Sequence, residues 1–429
     1  MLLKLNNLIK FLNPYLEFIN CHMVEFYTNN LWDKYIPKNI QNELTENGFE
    51  DAFNIIYKDK NYDKYPNLTV FLNEIKNIRE NNSIIVSKDN FLKDEKPVDE
   101  DFKHFMSDKK IHEVNKMADL TYKLSKNKNI EYVVDIGDGK GYLSSYLSLK
   151  YKLNVLGIDS QSINTTGSSK RLQKLQKYWK GLTNDSIISN SYKQFTKYVT
   201  SSTNLIEILQ NEFNQSNIDR FALVGLHTCG QLACDSLDLF VNDANCKFLC
   251  NVGCCYHLLK TFPMSDYVKN QNFNLDRNAR MIASQSIDRT VNQQKINNQS
   301  LFYRGLFQVF LQNKYGLNLP EGQVGRKCSK HNNFIDYCRS ALNNYQSIND
   351  SIIVENELND LLNKYQENND DLKLYLFYLI RMQFSSIIEL LILTDRCMYL
   401  IENGFNQTYL IQLFNSVISP RHLAIISIK

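Results

Sequence analysis

The stretch VVDIGDGKGYLS, residues 133–144, decides the fold of this 429-residue chain. Apolar residues that predict a strand lead to Asp135, and three glycines then alternate at Gly137, Gly139 and Gly141. Helix-forming residues follow. A glycine-rich turn that comes after a strand and opens a helix is the setting in which such loops bind nucleotides. The sequence therefore predicts a nucleotide site at this turn of an α/β sheet.

The spacing of the glycines decides which nucleotide is expected. A dinucleotide fingerprint needs G-x-G-x-x-G, and Tyr142 stands where its third glycine belongs. A phosphate loop is excluded as well, because G-x-x-x-x-G-K-[ST] cannot be read here. Asp-x-Gly-x-Gly-x-Gly after a first strand is instead the pattern of S-adenosylmethionine-dependent methyltransferases.

Each residue of that pattern has its own task. The glycines let the backbone approach the ligand, and amides at the start of the helix can meet the methionine carboxylate. Asp135 is expected near the methionyl ammonium. Asp159 ends the next predicted strand, where its carboxylate can accept hydrogen bonds from both ribose hydroxyls. The alternative is a structural turn followed by a helix-capping acid.

Strands and helices alternate beyond the loop. Strands EYVVDIG and NVLGID are followed by RFALVGL (220–226) and KFLCNVG (247–253), with helical segments between them. This alternation predicts a parallel sheet wrapped by helices. The expected fold is α/β, a Rossmann-like class I methyltransferase sheet of seven strands whose last pair is antiparallel.

The rest of the chain predicts additional helical parts. Residues 1 to about 83 show helical periodicity, and we expect a helical N-terminal region over 1–100. A charged stretch, 87–102, is expected to be a linker or mobile loop. The methyltransferase domain is expected over 101–429. It includes a helical insertion at about 300–403 and a final strand pair at 408–429.

Composition limits the location and the partners. The net charge of +3 does not by itself indicate a nucleic-acid-binding protein. Residues 150–180 carry seven basic side chains and one acid, which is more often a solvated helix face than a surface for a polyanion. Ten irregularly spaced cysteines indicate reduced thiols. The apolar segment 374–401 contains four charged residues, so we expect a buried helix pair, no membrane contact, and a soluble cytoplasmic or nuclear protein.

Several blocks together resemble the methyltransferase-like protein 25 family. They are KKIHEV (109–114), DIGDGKGYLS (135–144), GIDSQSINTTGSSKR (157–171), GLHTCGQLA (225–233), NVGCCYHLL (251–259), FPMS (262–265), LILTDRCMYLIENG (391–404) and SPRHLAIISIK (419–429). The resemblance implies an S-adenosylmethionine-dependent methyltransferase with a Rossmann-like catalytic domain. GLHTCG and GCCYH are also similar to blocks of a tRNA ribose 2′-O-methyltransferase family, which favours RNA as the substrate.

Asp138 departs from the family pattern, which more usually has a small residue such as Ser or Ala at this place. A carboxylate turned inward would repel the carboxylate of the cofactor. At a turn, a side chain that points to solvent costs little. We expect the solvent-facing orientation.

Cysteines and histidines cluster after the fourth and fifth predicted strands. Six cysteines fall within 229–255, flanked by His227 and His257. No C-x2-C pair is present, and Cys250 and Cys254 lie in or just after a strand, where cysteine suits the core. We therefore expect no structural metal.

The same blocks are expected to face the cofactor, because ligands bind beyond the carboxyl ends of parallel strands. His227 or His257 suits a general base for a hydroxyl acceptor, although either is equally expected as a structural histidine. Cys229 or Cys255 is a weaker candidate for a covalent nucleophile on a pyrimidine. Lys110 or His112 can reach the methionine carboxylate, or can lie on a solvated helix face.

The sequence predicts an S-adenosylmethionine-dependent methyltransferase with RNA as the favoured acceptor. A protein acceptor is the first alternative, and a non-catalytic cofactor-binding or scaffold protein with the same fold is the second. The missing Asn/Asp-Pro-Pro-aromatic motif argues against adenine N6 dimethylation. A nicotinamide oxidoreductase is the weakest alternative, because Tyr142 opposes it.

Overall fold

A computed structural model describes residues 1–58, 63–92, 105–180, 191–285, 287, 290, 298–316, 331, 333–343 and 355–429. The chain divides into two compact units. The first unit comprises residues 1–13, 79–286 and 387–429, and the second comprises residues 14–78 and 287–386.

The first unit contains an eight-stranded sheet in the order β1-β7-β8-β6-β5-β2-β3-β4. The strands are β1 Ile85–Ser87, β2 Tyr132–Ile136, β3 Asn154–Asp159, β4 Tyr192–Thr196, β5 Phe221–Cys229, β6 Cys246–Cys254, β7 Thr408–Gln412 and β8 Leu423–Ile428. Strands β2 to β6 pair in parallel, whereas β8 is antiparallel to both β6 and β7. This arrangement confirms the expected Rossmann-like methyltransferase sheet.

The sheet has one strand more than the seven expected. Strand β1 pairs in parallel with β7, matching Ile85 to Leu410 and Ser87 to Gln412. Strand β1 has only three residues, too few for a recognisable alternation of apolar and polar residues. The sequence therefore predicted only helix in this region. Strand β4 reads YKQFT and lies at the opposite edge. Its polar, half-exposed residues give little strand signal, and the sequence pattern did not locate it.

Helices cover the sheet and form the second unit. They are α1 Leu2–Leu12, α2 Leu16–Asn20, α3 Leu31–Tyr35, α4 Lys38–Asn47, α5 Glu50–Lys58, α6 Pro66–Asn81, α7 Lys88–Phe91, α8 Asp108–Asn127, α9 Tyr142–Tyr151, α10 Ser162–Lys180, α11 Leu205–Phe213, α12 Gln231–Asn242, α13 Asp266–Lys269, α14 Arg277–Ala283, α15 Asn298–Tyr315, α16 Phe334–Leu342, α17 Glu355–Glu367, α18 Asp370–Gln383 and α19 Ser385–Glu402. The expected linker begins with α7, and its residues 93–102 lie outside the described part of the chain.

The core of the first unit forms because the central strands are apolar on both faces. Val133 and Val134 of β2 are fully buried, as are neighbouring residues of β3, β5 and β6. A parallel sheet buried on both faces reads as continuous apolar runs, which is why these strands were visible in the sequence. Helices α8 and α9 pack against it through Met117, Tyr146 and Leu147.

The second unit is helical throughout its described residues and has an aromatic core. The Phe18 ring packs edge-on against Phe377 at 5.1 Å and against Phe384 at 5.7 Å between centroids. Helices α18 and α19 confirm the helix pair expected from the apolar segment. Among the described residues, Asp370–Glu402 is one stretch long and apolar enough to cross a membrane, with 83% of its most apolar window buried. A buried core helix meets the same criteria, so this is weak evidence for a membrane span.

Candidate functional site

The glycine loop connects β2 to α9 with left-handed backbone. Gly137 and Gly141 have φ of +72° and +67°. A Cβ at Gly141 would clash with the hydroxyls of Ser168 and Tyr192. The amide of Gly137 donates to the carbonyl of Ile158 at 2.8 Å, which ties the loop to the end of β3. The glycines are thus required by backbone conformation and close packing.

Asp159 holds the loop from the end of β3. It is 9% exposed, and its Oδ2 accepts a hydrogen bond from the amide of Gly139 at 3.0 Å. Its Oδ1 accepts from the amide of Gln161 at 2.8 Å and from Nδ2 of Asn164 at 3.0 Å. These bonds fix the orientation of the carboxylate at the end of β3.

Asp135 and Asp138 form a pair of carboxyl groups beneath the loop. Asp135 is 2% exposed and accepts a hydrogen bond from Ser144 Oγ at 2.9 Å. Asp138 turns inward over Gly157 of β3 and accepts a hydrogen bond from the Tyr192 hydroxyl. The expectation that Asp138 points to solvent is therefore wrong. The small Gly157 leaves the room that the inward side chain fills.

The pKa values of both carboxyl groups are raised. Burial is the largest cause for each, and the neighbouring Asp138 carboxylate raises the pKa of Asp135 further. The hydroxyls of Tyr192 and Ser144 act in the opposite direction on Asp138. One shared proton between the two groups removes the repulsion of two buried charges.

A cavity of about 400 Å³ opens at the carboxyl ends of the strands. Its wall includes residues after β2, β3, β4, β5 and β6, namely Gly137, Ile158, Asp159, Ser160, Gln161, Asn164, Lys197, Tyr198, Val199, His227, Cys229, Gln231, Leu232, Leu258 and Lys260. This is the position where an open α/β sheet binds ligands, and the volume is in the range of small-molecule sites.

These residues fit S-adenosylmethionine. Gly137 lines the cavity, and a Cβ there would lie 3.2 Å from Leu232 Cδ2. A side chain at this position would therefore narrow the cavity. Asp159 lines the same cavity. Asp135, Gly139 and Gly141 are not among the lining residues. These three residues determine the conformation of the loop without lining the cavity.

His227 lies in the cavity wall and is held by a buried carboxylate. Its Nε2 is 3.0 Å from Oε1 of Glu113 on α8, and Ser419 Oγ donates to the same oxygen at 2.6 Å. Glu113 is 1% exposed. Burial alone would raise the pKa of Glu113, but the hydrogen bond and charge of His227, with Ser419 and Lys109, lower it to about 2. Glu113 is therefore an ionised partner that fixes the imidazole.

Glu113 is the functional residue that the sequence did not single out. It directly follows His112 in the block KKIHEV, and His112 or Lys110 was predicted to reach the methionine carboxylate. His112 instead accepts a hydrogen bond from the amide of Asn415 at 3.0 Å. Lys110 lies 4.8 Å from the centroid of the Tyr142 ring. In the sequence, the only signal for Glu113 is its place one residue after His112 on the predicted helix.

The blocks HTCG and CCYH bring three thiols together. Strand β5 extends through Cys229, so His227 and Cys229 end a strand instead of following it. Cys229 pairs with Cys254 across β5 and β6, and their Sγ atoms are 3.0 Å apart. Cys255 Sγ is 3.7 Å from that of Cys229. His257 lies in a single helical turn after β6 and is not among the residues that line the cavity.

The comparisons with known proteins agree with this geometry. A family described as a methyltransferase domain matches residues 109–262. Probable methyltransferase-like protein 25 of Mus musculus is 26% identical in an alignment of 582 positions, gaps included, that covers 99% of this chain and 96% of that protein. The Homo sapiens protein of the same name is 25% identical over 601, with the same coverage.

Among solved structures, coclaurine N-methyltransferase bound to N-methylheliamine and SAH is 12% identical, with a TM-score of 0.26. The match covers 91% of this chain and 96% of that one, but a likeness at this score supports no conclusion. The resemblance to methyltransferase-like protein 25 is confirmed over nearly the whole chain. The domain and the sheet identify an S-adenosylmethionine-dependent methyltransferase whose acceptor the relatives do not name.

Proposed function

We propose that this methyltransferase transfers the methyl group of S-adenosylmethionine to a hydroxyl of RNA, with His227 as the base that takes the hydroxyl proton. The observation that carries the proposal is the position of His227 in the cavity wall, 3.0 Å from the buried Glu113 carboxylate. A hydroxyl acceptor needs such a base, and a histidine can accept a proton near neutral pH.

The hydrogen bond to Glu113 determines which nitrogen of His227 is free. With Nε2–H donated to the carboxylate, the lone pair is left on Nδ1. Nδ1 then accepts the proton of the acceptor hydroxyl, and the Glu113 carboxylate stabilises the imidazolium that forms. When bound, the cofactor supplies an electrophilic methyl group on a sulfonium. Gly137 and Asp159 would hold it, so that the chain chiefly aligns the acceptor.

Basic side chains favour RNA as the acceptor. Lys197 and Lys260 line the cavity, and Lys170 and Lys174 are exposed on α10. Side chains of this kind neutralise phosphates next to the reacting nucleotide. The resemblance of GLHTCG and GCCYH to tRNA ribose methyltransferase blocks points to the same acceptor class.

Methyl transfer from tritiated S-adenosylmethionine to total RNA and to total protein tests the proposal. We expect label in RNA that ribonuclease removes, loss of at least about 100-fold of the rate in His227→Ala, and an unchanged rate in the control His331→Ala of the second unit. Label that survives ribonuclease and is removed by protease would contradict the RNA acceptor and favour a protein one.

A non-catalytic cofactor-binding or scaffold protein with the same fold is the second candidate. Its scaffold form is favoured by Asp159, whose carboxylate oxygens already accept three hydrogen bonds from the chain, so that a ribose must compete for them. Titration calorimetry with S-adenosylhomocysteine separates the two candidates. Binding without label in RNA or protein would support the second one.

A further inference from the structure

The thiols of Cys229, Cys254 and Cys255 form a compact cluster at the cavity wall. All three Sγ atoms lie within 4.8 Å of one another. The chain carries ten cysteines, and the methyl-transfer geometry uses none of these three. Cys229 is exposed, Cys255 is half-buried and Cys254 is 7% exposed, so the cluster has one open side. Cys229 itself lines the cavity.

We propose that Cys229, Cys254 and Cys255 bind one Zn²⁺ ion, with its fourth coordination position open toward the cavity. Zinc prefers thiolate ligands, and three protein ligands with one open position are typical of a zinc site that binds a further ligand. In a tetrahedral site with Zn–S bonds of about 2.3 Å, the sulfur atoms are about 3.8 Å apart. The 3.7 Å between Cys229 and Cys255 matches this spacing, and zinc would separate the sulfur atoms of Cys229 and Cys254, now 3.0 Å apart, by about 0.8 Å.

The backbone around the thiols is built for close approach. His227 and Cys255 have φ of +66° and +52°, in the left-handed region that residues other than glycine seldom adopt. The amide of Gly230 donates to the carbonyl of Cys254 at 3.0 Å, which joins the end of β5 to the end of β6. Left-handed residues of this kind persist where the surrounding structure holds them, and they concentrate at ligand sites.

The Sγ atoms of Cys229 and Cys254 are 3.0 Å apart, close enough to share a proton. Helix α12 begins at Gln231, and its positive end favours a thiolate at Cys229. A zinc ion would replace the proton that these two thiols share.

The sequence pattern alone predicts no zinc site, because Cys250 and Cys254 lie in or just after one strand and no C-x2-C pair is present. In the structure Cys250 is in the core, whereas Cys254 meets Cys229 across the β5–β6 pair. Ligands that strand pairing brings together have no fixed spacing in the sequence. The absence of a C-x2-C pair therefore does not argue against a zinc site here.

Metal content of the untagged full chain, purified with a thiol reductant, tests the proposal. We expect about one zinc per chain by mass spectrometry. After exchange with Co²⁺ we expect thiolate-to-cobalt charge-transfer absorption. Substitutions Cys229→Ser and Cys255→Ser should each weaken zinc binding by about 100-fold or more in competition with a chromophoric chelator. The control Cys21→Ser removes a half-buried thiol of the second unit and should bind as the wild type does.

Two outcomes would overturn the zinc site. One is wild-type protein that takes up neither zinc nor cobalt. The other is a Cys255→Ser variant, folded by circular dichroism, with wild-type zinc affinity and an unchanged cobalt spectrum. A Cys229–Cys254 disulfide formed under air in wild-type protein that takes up neither metal would identify a redox pair in place of the zinc site. None of these readouts depends on methyl transfer, so failure of the proposed function leaves this test intact.

Discussion

Replacing Glu113 with glutamine tests the dyad that the proposed mechanism requires. Glu113 is buried, and its carboxylate accepts hydrogen bonds from His227 and Ser419 and forms an ion pair with Lys109. Its pKa falls from 4.5 to about 2 in the folded protein. Because one pKa unit corresponds to about 1.4 kcal/mol, the ionised carboxylate contributes roughly 3 kcal/mol to the free energy of unfolding at neutral pH.

The sign of the pH dependence follows from the lowered pKa. Below pH 4.5 the unfolded chain takes up a proton at Glu113 that the folded chain does not, so unfolding becomes easier as the pH falls toward 2. By pH 3.5 the stabilisation has decreased by about 1.4 kcal/mol, and Glu113→Gln lacks this loss because its amide does not titrate. The stability difference between wild type and variant should therefore shrink as the solution becomes more acidic.

Urea unfolding of the wild type and Glu113→Gln between pH 3.5 and pH 7, followed by circular dichroism, measures this difference. Glu131→Gln, at an exposed position, is the control and should change stability by less than about 0.5 kcal/mol. In the methyl-transfer assay Glu113→Gln should lower kcat at least about tenfold, because the imidazole loses its orienting partner. Equal stability of wild type and Glu113→Gln at pH 7, with the same pH dependence, would refute the argument.

Three further substitutions probe the loop. Asp159→Asn should weaken S-adenosylhomocysteine binding by at least about tenfold in titration calorimetry, since an amide offers one acceptor oxygen where the carboxylate offers two; the exposed Asp219→Asn should not. Gly141→Ala should lower the free energy of unfolding by about 2 kcal/mol or more, because of its left-handed φ and the clash at its Cβ. Gly167→Ala, with open space in α10, should be neutral or stabilising by about 0.5–1 kcal/mol. The wild type should lose stability as the pH rises through the raised pKa values of the buried Asp135 and Asp138 carboxyls. Asp138→Asn should lose less stability over the same range. Thermal unfolding from pH 5 to pH 9 measures the difference. A wild-type pH profile in that variant would contradict the carboxyl pair.

The sequence predicted the sheet well because its central strands carry strong apolar signals. The loop and Asp159 were visible for a second reason, since their spacing along the chain is short and fixed. Glu113 and the Cys229–Cys254 pair were not identified in this way. Glu113 contacts His227 across 114 positions, and the two cysteines meet through strand pairing. Contacts between distant segments depend on register and packing, which local patterns do not encode.

Asp138 shows the same limit at a single side chain. Solvent is the low-cost choice for a carboxylate at a turn, and local reasoning selected it. The structure instead offers an interior place, because Gly157 leaves a gap and Tyr192 donates a hydrogen bond from β4. The buried carboxylate therefore does not face the cavity, and Asp138 is not among the residues that line it. By accepting a hydrogen bond from Tyr192, it joins the glycine turn to β4, and the residues that follow β4, Lys197 to Val199, line the cavity. An acid at this position is then compatible with cofactor binding, provided that one proton remains between it and Asp135.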